Sequence, residues 1–329
     1  MSTPTLDATT LDKLISAAVA APSIHNSQPW RYRLDPDTLT IEVHAAPERK
    51  LPHADPDGRA LHLSVGAAVF NLRVAAAHFG WAPEVRLLPR PEESDHLASV
   101  RLGRPGPGES RPDDSLYDAL WRRHSCRLPF SDRPVPVQVL RALVTAAESE
   151  GARMALPAAT ETARILELTA EAEWYESANA QRRVESRSWI RDGAPDGVPS
   201  SALGPRDTAG HMPIRDFSAP ASVRPPPPAE FEPHPVVAVL STPRDAPTDW
   251  LRAGQGLESV LLLATAHDLK ASLLHQALEW RDLRWALNDP HAGISDVQML
   301  IRLGYGPEGP QTPRLPVEDV LERPKWPPD

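Results

Sequence analysis

Ala21-Pro22-Ser23-Ile24-His25-Asn26-Ser27-Gln28-Pro29-Trp30 is the stretch on which the fold turns. Ahead of it, Leu11, Leu14, Ile15 and Ala18 recur at helical spacing, and after it Arg31-Tyr32-Arg33-Leu34 alternates as a strand does. Proline clashes with helix continuation, so Pro22 predicts the helix end. Ser23, His25, Asn26 and Gln28 then occupy a short turn between two rigid elements. Small polar side chains fixed there suit a planar ligand with a polar edge. An ordinary helix-to-strand connection uses the same residue types.

Working outward, the chain repeats itself. Residues 11–18 (LDKLISAA) align with 140–147 (LRALVTAA), and the glycine-led run 66–77 recurs at 254–265. Val100-Arg101-Leu102-Gly103 returns as Ile301-Arg302-Leu303-Gly304, and a strand-like run precedes each glycine-led helix, at 39–43 and 236–240. Three matches in the same order predict two related halves, residues 1–106 and 113–329. The linker is the Gly- and Pro-rich stretch 103–108. The expected class is α+β, layered α/β/α, with helices interleaved among a few strands around a sheet core.

Composition narrows the function classes. A chain of 329 residues with 41% hydrophobic and 24% charged residues can bury a large core. A formal charge of −9 argues against nucleic acid or anionic membrane as partner. The single cysteine, Cys126, excludes an internal disulfide framework and reads as a small buried filler. The N-terminal stretch has no basic, apolar pattern of a signal peptide, and the apolar run 260–264 is too short to span a bilayer, so a cytoplasmic protein is expected. Of 38 prolines, many fall in 191–235, which lacks hydrophobic periodicity and reads as a lid or a linker. Pro225 to Pro228 is either a stiff spacer or a peptide ligand. No metal-ligand spacing or dinucleotide fingerprint is present.

Two segments could carry an anion. Arg122-Arg123-His124-Ser125-Cys126-Arg127 opens the second half, and arginine forks with a hydroxyl suit a phosphate. The same cluster would also serve simply to close a helix C-terminus. Arg314, in Thr312-Pro313-Arg314-Leu315-Pro316, is held between prolines in an extended segment.

Together, Pro22-Ser23-Ile24-His25-Asn26-Ser27-Gln28-Pro29-Trp30, Arg123-His124-Ser125-Cys126-Arg127 and Arg314-Leu315-Pro316 resemble the FMN-binding nitroreductase family. Asp55-Pro56-Asp57-Gly58-Arg59 points to its Acg branch, whose members are fused pseudo-dimers with a lid. The resemblance implies FMN contacts from Ser23, Ile24, Asn26 and Gln28 on one side. On the other, Arg123, His124, Ser125, Arg127 and Arg314 would surround the phosphate. It also implies a cation near the electron-rich edge of reduced flavin, where Arg182 in Asn179-Ala180-Gln181-Arg182 competes with Arg183 and Arg187 and a solvated helix face would use the same residues, and it implies Gln276 and Ala277 near flavin N5. The turn lies in one half and the arginine motif in the other, so a single complete site and a monomeric pseudo-dimer are expected, with further self-association left open. His25 reads more simply as a structural histidine than as a proton donor, and no catalytic side chain is assigned. The implied activity is ping-pong transfer from NAD(P)H through FMN to a small nitro, quinone or enone acceptor. The alternatives are an FMN-storing protein whose lid blocks turnover and an interaction protein using its polyproline run.

Overall fold

The computed structural model describes residues 6–106, 115–215, 217, 227–288 and 295–322. Helix α1 (Ala8–Val19) starts at Asp7, whose side chain accepts from Thr10 N at 2.7 Å, and it buries Leu11, Leu14 and Ile15. The chain leaves α1 at Ala20 and passes through a 3-10 turn, Ile24–Asn26, into β1 (Trp30–Asp35) and β2 (Thr40–Ala45). Asp55 then sets the start of α2 (Arg59–His78): its carboxylate accepts from Ala60 N and Leu61 N at 2.9 and 2.8 Å. Gly58 makes the entry in left-handed backbone, φ 73°. Strands β3 (Ala82–Leu87) and β4 (His96–Gly103) follow.

The chain then runs through α3 (Ser115–Arg122), α4 (Val137–Ser149), β5 (Arg153–Ala155), α5 (Ala159–Ala178) and α6 (Ala180–Ser188). After an irregular segment come β6 (Val236–Thr242), α7 (Pro247–Ala266), β7 (Lys270–Leu273), α8 (Arg281–Ala286) and β8 (Asp296–Gly304). The chain closes with α9 (Val317–Val320) and β9 (Leu321–Glu322).

Among the described residues the strands form two sheets, ordered β3-β4-β2-β1-β9 and β5-β6-β8-β7. Read from its β7 edge, the second sheet repeats the order β3-β4-β2-β1 of the first. The sequence matches fall on corresponding elements: α1 with α4, β2 with β6, α2 with α7, and β4 with β8. The C-terminal strand breaks the simple division into halves. β9 pairs in parallel with β1, Tyr32 opposite Leu321, so the end of the chain covers an edge of the first sheet.

Helices α2 and α7 cross at the centre, each apolar on most of its surface because each is packed on most sides. Helix α2 is the one described helix long and apolar enough to cross a membrane, with a mean hydropathy of 1.4, but 78% of that window is buried. The apolar run 260–264 lies within α7, which is not apolar over such a length. At the crossing a Cβ on Gly254 would stand 2.1 Å from Leu63 O, and one on Gly66 would stand 2.2 Å from Leu251 O. Only glycine lets the backbones come this close.

The described part of 191–235 has little regular structure yet is tied down. Asp207 accepts from the backbone N–H of Ala209, His211 and Met212, and Val198, Ala202, Leu203 and Phe217 make a small core of their own. It packs over the turn at 23–28. Pro225 and Pro226 of the polyproline run, and residues 107–114 of and beyond the expected linker, lie outside the described residues.

Candidate functional site

The turn after α1 is strained. His25, Asn26 and Gln28 hold φ at 51°, 53° and 51°, a region costly for residues with a Cβ. Two other segments fix them there. Gln28 Oε1 accepts from Leu315 N at 2.8 Å, and Gln28 Nε2 donates to Pro195 O at 3.0 Å. Asn26 Nδ2 donates to Gly197 O and Pro313 O at 2.8 and 3.0 Å, while its Oδ1 accepts from Arg314 Nη1 at 3.1 Å. The turn thereby clamps the irregular segment on one side and the C-terminal segment on the other.

A cavity of about 1060 Å³, solvent at its mouth included, opens against this turn. One wall is basic. Arg123, at the end of α3, and Arg314 both donate through Nη2 to Ala20 O at 3.1 Å. That carbonyl belongs to the C-terminus of α1, where a helix carries partial negative charge. Arg123 Nε also lies 3.4 Å from Glu258 of α7, which is fully buried. Neither Arg123 Nε nor Arg314 Nε has a hydrogen-bond partner among the described residues. Burial, then repulsion from Arg123, pushes the Arg314 pKa down to about 9. Burial likewise pushes Arg127, on the same cavity, to about 10. This wall holds more positive charge than its own carboxylate balances, which suits an anion.

Glu258 responds to the same burial. Desolvation pushes its pKa up to about 7, against the opposing pull of Arg123. A carboxyl that binds its proton more tightly folded than unfolded adds stability that is full below its ordinary value of 4.5 and lost as pH rises through 7. Glu258→Gln should remove that loss. In denaturant unfolding of ligand-free protein, the variant is expected to gain about 2–3 kcal/mol on wild type between pH 5 and pH 8. A difference that stays flat across that range counts against a neutral Glu258.

The opposite wall is a chain of alternating groups. Arg59 Nη2 donates to His275 Nε2 at 3.0 Å, and His275 Nδ1 meets Glu279 Oε1 at 3.0 Å. Arg215, from the overlying segment, reaches Glu279 Oε1 at 2.8 Å and donates to His25 Nε2 at 2.8 Å. Burial opposes both charges of the Arg215–Glu279 pair, but their mutual attraction outweighs it. Glu279 is therefore held well below the carboxylate range, and Arg215 above its ordinary value.

Residues 120–305 match the model of the nitroreductase family. A Mycobacterium tuberculosis protein provisionally named NAD(P)H nitroreductase Rv3131 is 32% identical over 333 residues, covering 99% of this chain and 94% of its own length. The chain belongs to the nitroreductase family. Another M. tuberculosis member, provisionally named NAD(P)H nitroreductase acg, is 32% identical over 322 residues, 93% of each chain. Among solved structures, the FMN-dependent nitroreductase NfnB of Mycobacterium smegmatis in complex with NADPH aligns at 16% identity with a TM-score of 0.40, covering 64% of this chain and 100% of that one.

Of the residues that the family resemblance picks out, Ser23, Ile24, Asn26, Arg123, Ser125, Arg127, Gln276 and Arg314 line the cavity. Gln28, His124, Arg182 and Ala277 do not. Gln28 is spent on the clamp just described. His124 Nε2 accepts from Gly309 N at 3.1 Å and secures the C-terminal segment. Ala277 is fully buried in the second core. Arg182 donates to Glu279 O at 3.0 Å and lies over the Trp280 ring at 4.0 Å, while Asn179 caps α6 by accepting from Gln181 N and Arg182 N. The cation on the cavity beside Glu279 is Arg215. It sits in the segment without periodicity, so no sequence pattern marked it. His275 and Glu279, four residues apart, carried the one local signal that was missed.

Proposed function

We propose that this nitroreductase-family chain is an FMN-dependent oxidoreductase, taking reducing equivalents from NAD(P)H and passing them to a small nitro, quinone or enone acceptor. The observation that carries this reading is the buried Arg123–Arg314 pair, with unused N–H groups on a cavity walled by the strained turn. A phosphate fits that wall: it would neutralise the excess charge and occupy the free donors. Arg123, Arg314, Ser125 and Arg127 would hold it, with Ser23, Ile24 and Asn26 against the ring system.

FMN, when bound, supplies the two-electron redox chemistry. The protein's own work is to bind, orient and exclude water. The repeated strand order supports reading the chain as two fused halves around one site, the turn from the first and the arginines from the second. Residues 191–215 would act as the cover, since Gln276 Nε2 donates to Pro213 O at 2.8 Å and Arg127 Nη1 to Ala202 O at 3.0 Å across the cavity rim. These same bonds favour a second reading, a flavin-storing protein that keeps nicotinamide out.

The visible spectrum of purified protein, before and after NADPH or NADH without oxygen, separates the readings. A single flavin per chain that bleaches is the expected result. A flavin that stays yellow favours storage. No flavin after soaking with FMN would leave the family fold without its cofactor.

A further inference from the structure

His25 bears two costs at once. Its backbone is left-handed, at φ 51°, and its Nδ1 is buried with no hydrogen-bond partner among the described residues. An unmade hydrogen bond at a buried group costs about 1–3 kcal/mol, and strain of this kind persists where the surroundings impose it. The residue is 7% exposed and lines the cavity, with its ring edge-on to Phe217 at 5.1 Å between centroids.

Its tautomer can be assigned from its neighbour. Arg215 has only donors, so at 2.8 Å from His25 Nε2 that nitrogen must accept. The ring proton is then on Nδ1, the atom without a partner. The groups facing the ring come from each element packed on it: Arg215 from the cover, Glu279 and His275 from the 3-10 turn Gln276–Glu279 and its cap, and Arg127 from beyond α3. Burial first, then Arg215, lowers the His25 pKa to about 3, so the ring stays neutral.

We propose that His25 is a fixed, neutral hydrogen-bond donor to an oxygen of the electron acceptor, and that Arg215 of the overlying segment is the positioning residue that sets its proton on Nδ1. This rests on the oxidoreductase reading above. It selects acceptors that present a carbonyl or nitro oxygen at this wall. It also ties substrate recognition to closure, because the group that fixes the tautomer belongs to the cover.

Two measurements test it. In ¹⁵N-histidine NMR of the full chain, His25 should show the Nδ1–H tautomer and no titration between pH 5 and pH 8. An Nε2–H tautomer, or titration in that range, overturns the proposal whether or not flavin binds. Arg215→Met should give a mixture of tautomers. An unchanged pure Nδ1–H form in a folded variant would remove Arg215 from the assignment. In steady-state kinetics with a quinone, His25→Phe should raise KM for the acceptor at least tenfold with a smaller change in kcat, and His25→Asn, which keeps an N–H donor and tolerates left-handed backbone, should recover part of it. A fall in kcat and flavin content together, with KM unchanged, would make His25 a structural residue. Failure of wild type to bind FMN would sink the oxidoreductase reading and leave the NMR result to judge His25.

Discussion

Replacing Arg123 and Arg314 together by alanine is expected to yield a folded protein that does not retain FMN through purification. Each guanidinium offers a charge-assisted hydrogen bond to a phosphate, worth about 1.5–3 kcal/mol. Two such losses amount to about 3–6 kcal/mol, or roughly two to four decades in Kd. The fold should survive because the partner left behind can neutralise itself: with its pKa already pushed to about 7, Glu258 takes up a proton when its cations are removed. Loss of the repulsion between the two arginines offsets part of what their bonds to Ala20 O contribute. Riboflavin, which lacks the phosphate, supplies the control. Titration of ligand-free protein should show FMN affinity falling by at least a hundredfold while riboflavin affinity shifts little. Equal loss of both would point to a damaged cavity, and unchanged FMN affinity would remove the phosphate from this wall.

What the sequence made legible, and what it hid, follows from how far apart the cooperating residues lie. The turn at 21–30 could be read because a proline-stopped helix and an alternating strand are local signals, and the structure has a turn between α1 and β1. The arginine cluster at 122–127 was visible for the same reason. The succession of helices and strands along the chain was legible through the repeated runs, while the order of the strands within each sheet, which rests on long-range pairing, was not. The opposite wall was not. His25 and Arg215 are 190 positions apart, and Arg59 and His275 are 216 apart, so no spacing rule connects them. Residue types also do not show when a local role uses them up. Asn179 and Arg182 have the composition of a flavin contact, yet Asn179 serves as a helix cap and Arg182 is committed to Glu279 and Trp280. In the turn itself, the Gln28 amide is taken up by Leu315 N and Pro195 O, a pairing across the chain that no local spacing shows.

That clamp explains why the site needs the whole chain. The C-terminal segment delivers Arg314 to the cavity and then continues into β9, which pairs with β1 immediately after the turn. Strand pairing, the Gln28 bond to Leu315 and the Asn26 bond to Arg314 all set the same register. The basic wall is therefore positioned by three links, two on the backbone of the C-terminal segment and one on the Arg314 guanidinium itself.

The central helix crossing gives the second large prediction, and its sign is the test. Intrinsic propensity favours alanine over glycine inside a helix by about 0.8–1 kcal/mol, so Gly254→Ala should stabilise α7 if the helix stood alone. Packing says the opposite. The new Cβ would lie 2.1 Å from Leu63 O and 2.9 Å from Gly66 Cα, both backbone atoms that cannot rotate away. The helices must separate, and overpacking of a core costs about 1–3 kcal/mol or more, here at the upper end because no side chain can yield. Gly254→Ala is thus expected to lower stability by about 2–3 kcal/mol net, and Gly254→Val by more. Gly256, two residues on, is the comparison: its Cβ would stand 3.0 Å from the Ala152 Cβ, a contact that a small shift relieves, so Gly256→Ala should stay within about 1 kcal/mol of wild type. The crossing also carries the cavity floor, since Leu63 of α2 and Leu257 of α7 both line it. A Gly254→Ala protein that unfolds at lower denaturant should therefore also bind FMN more weakly. Stabilisation by this substitution would mean that the two helices do not cross this closely.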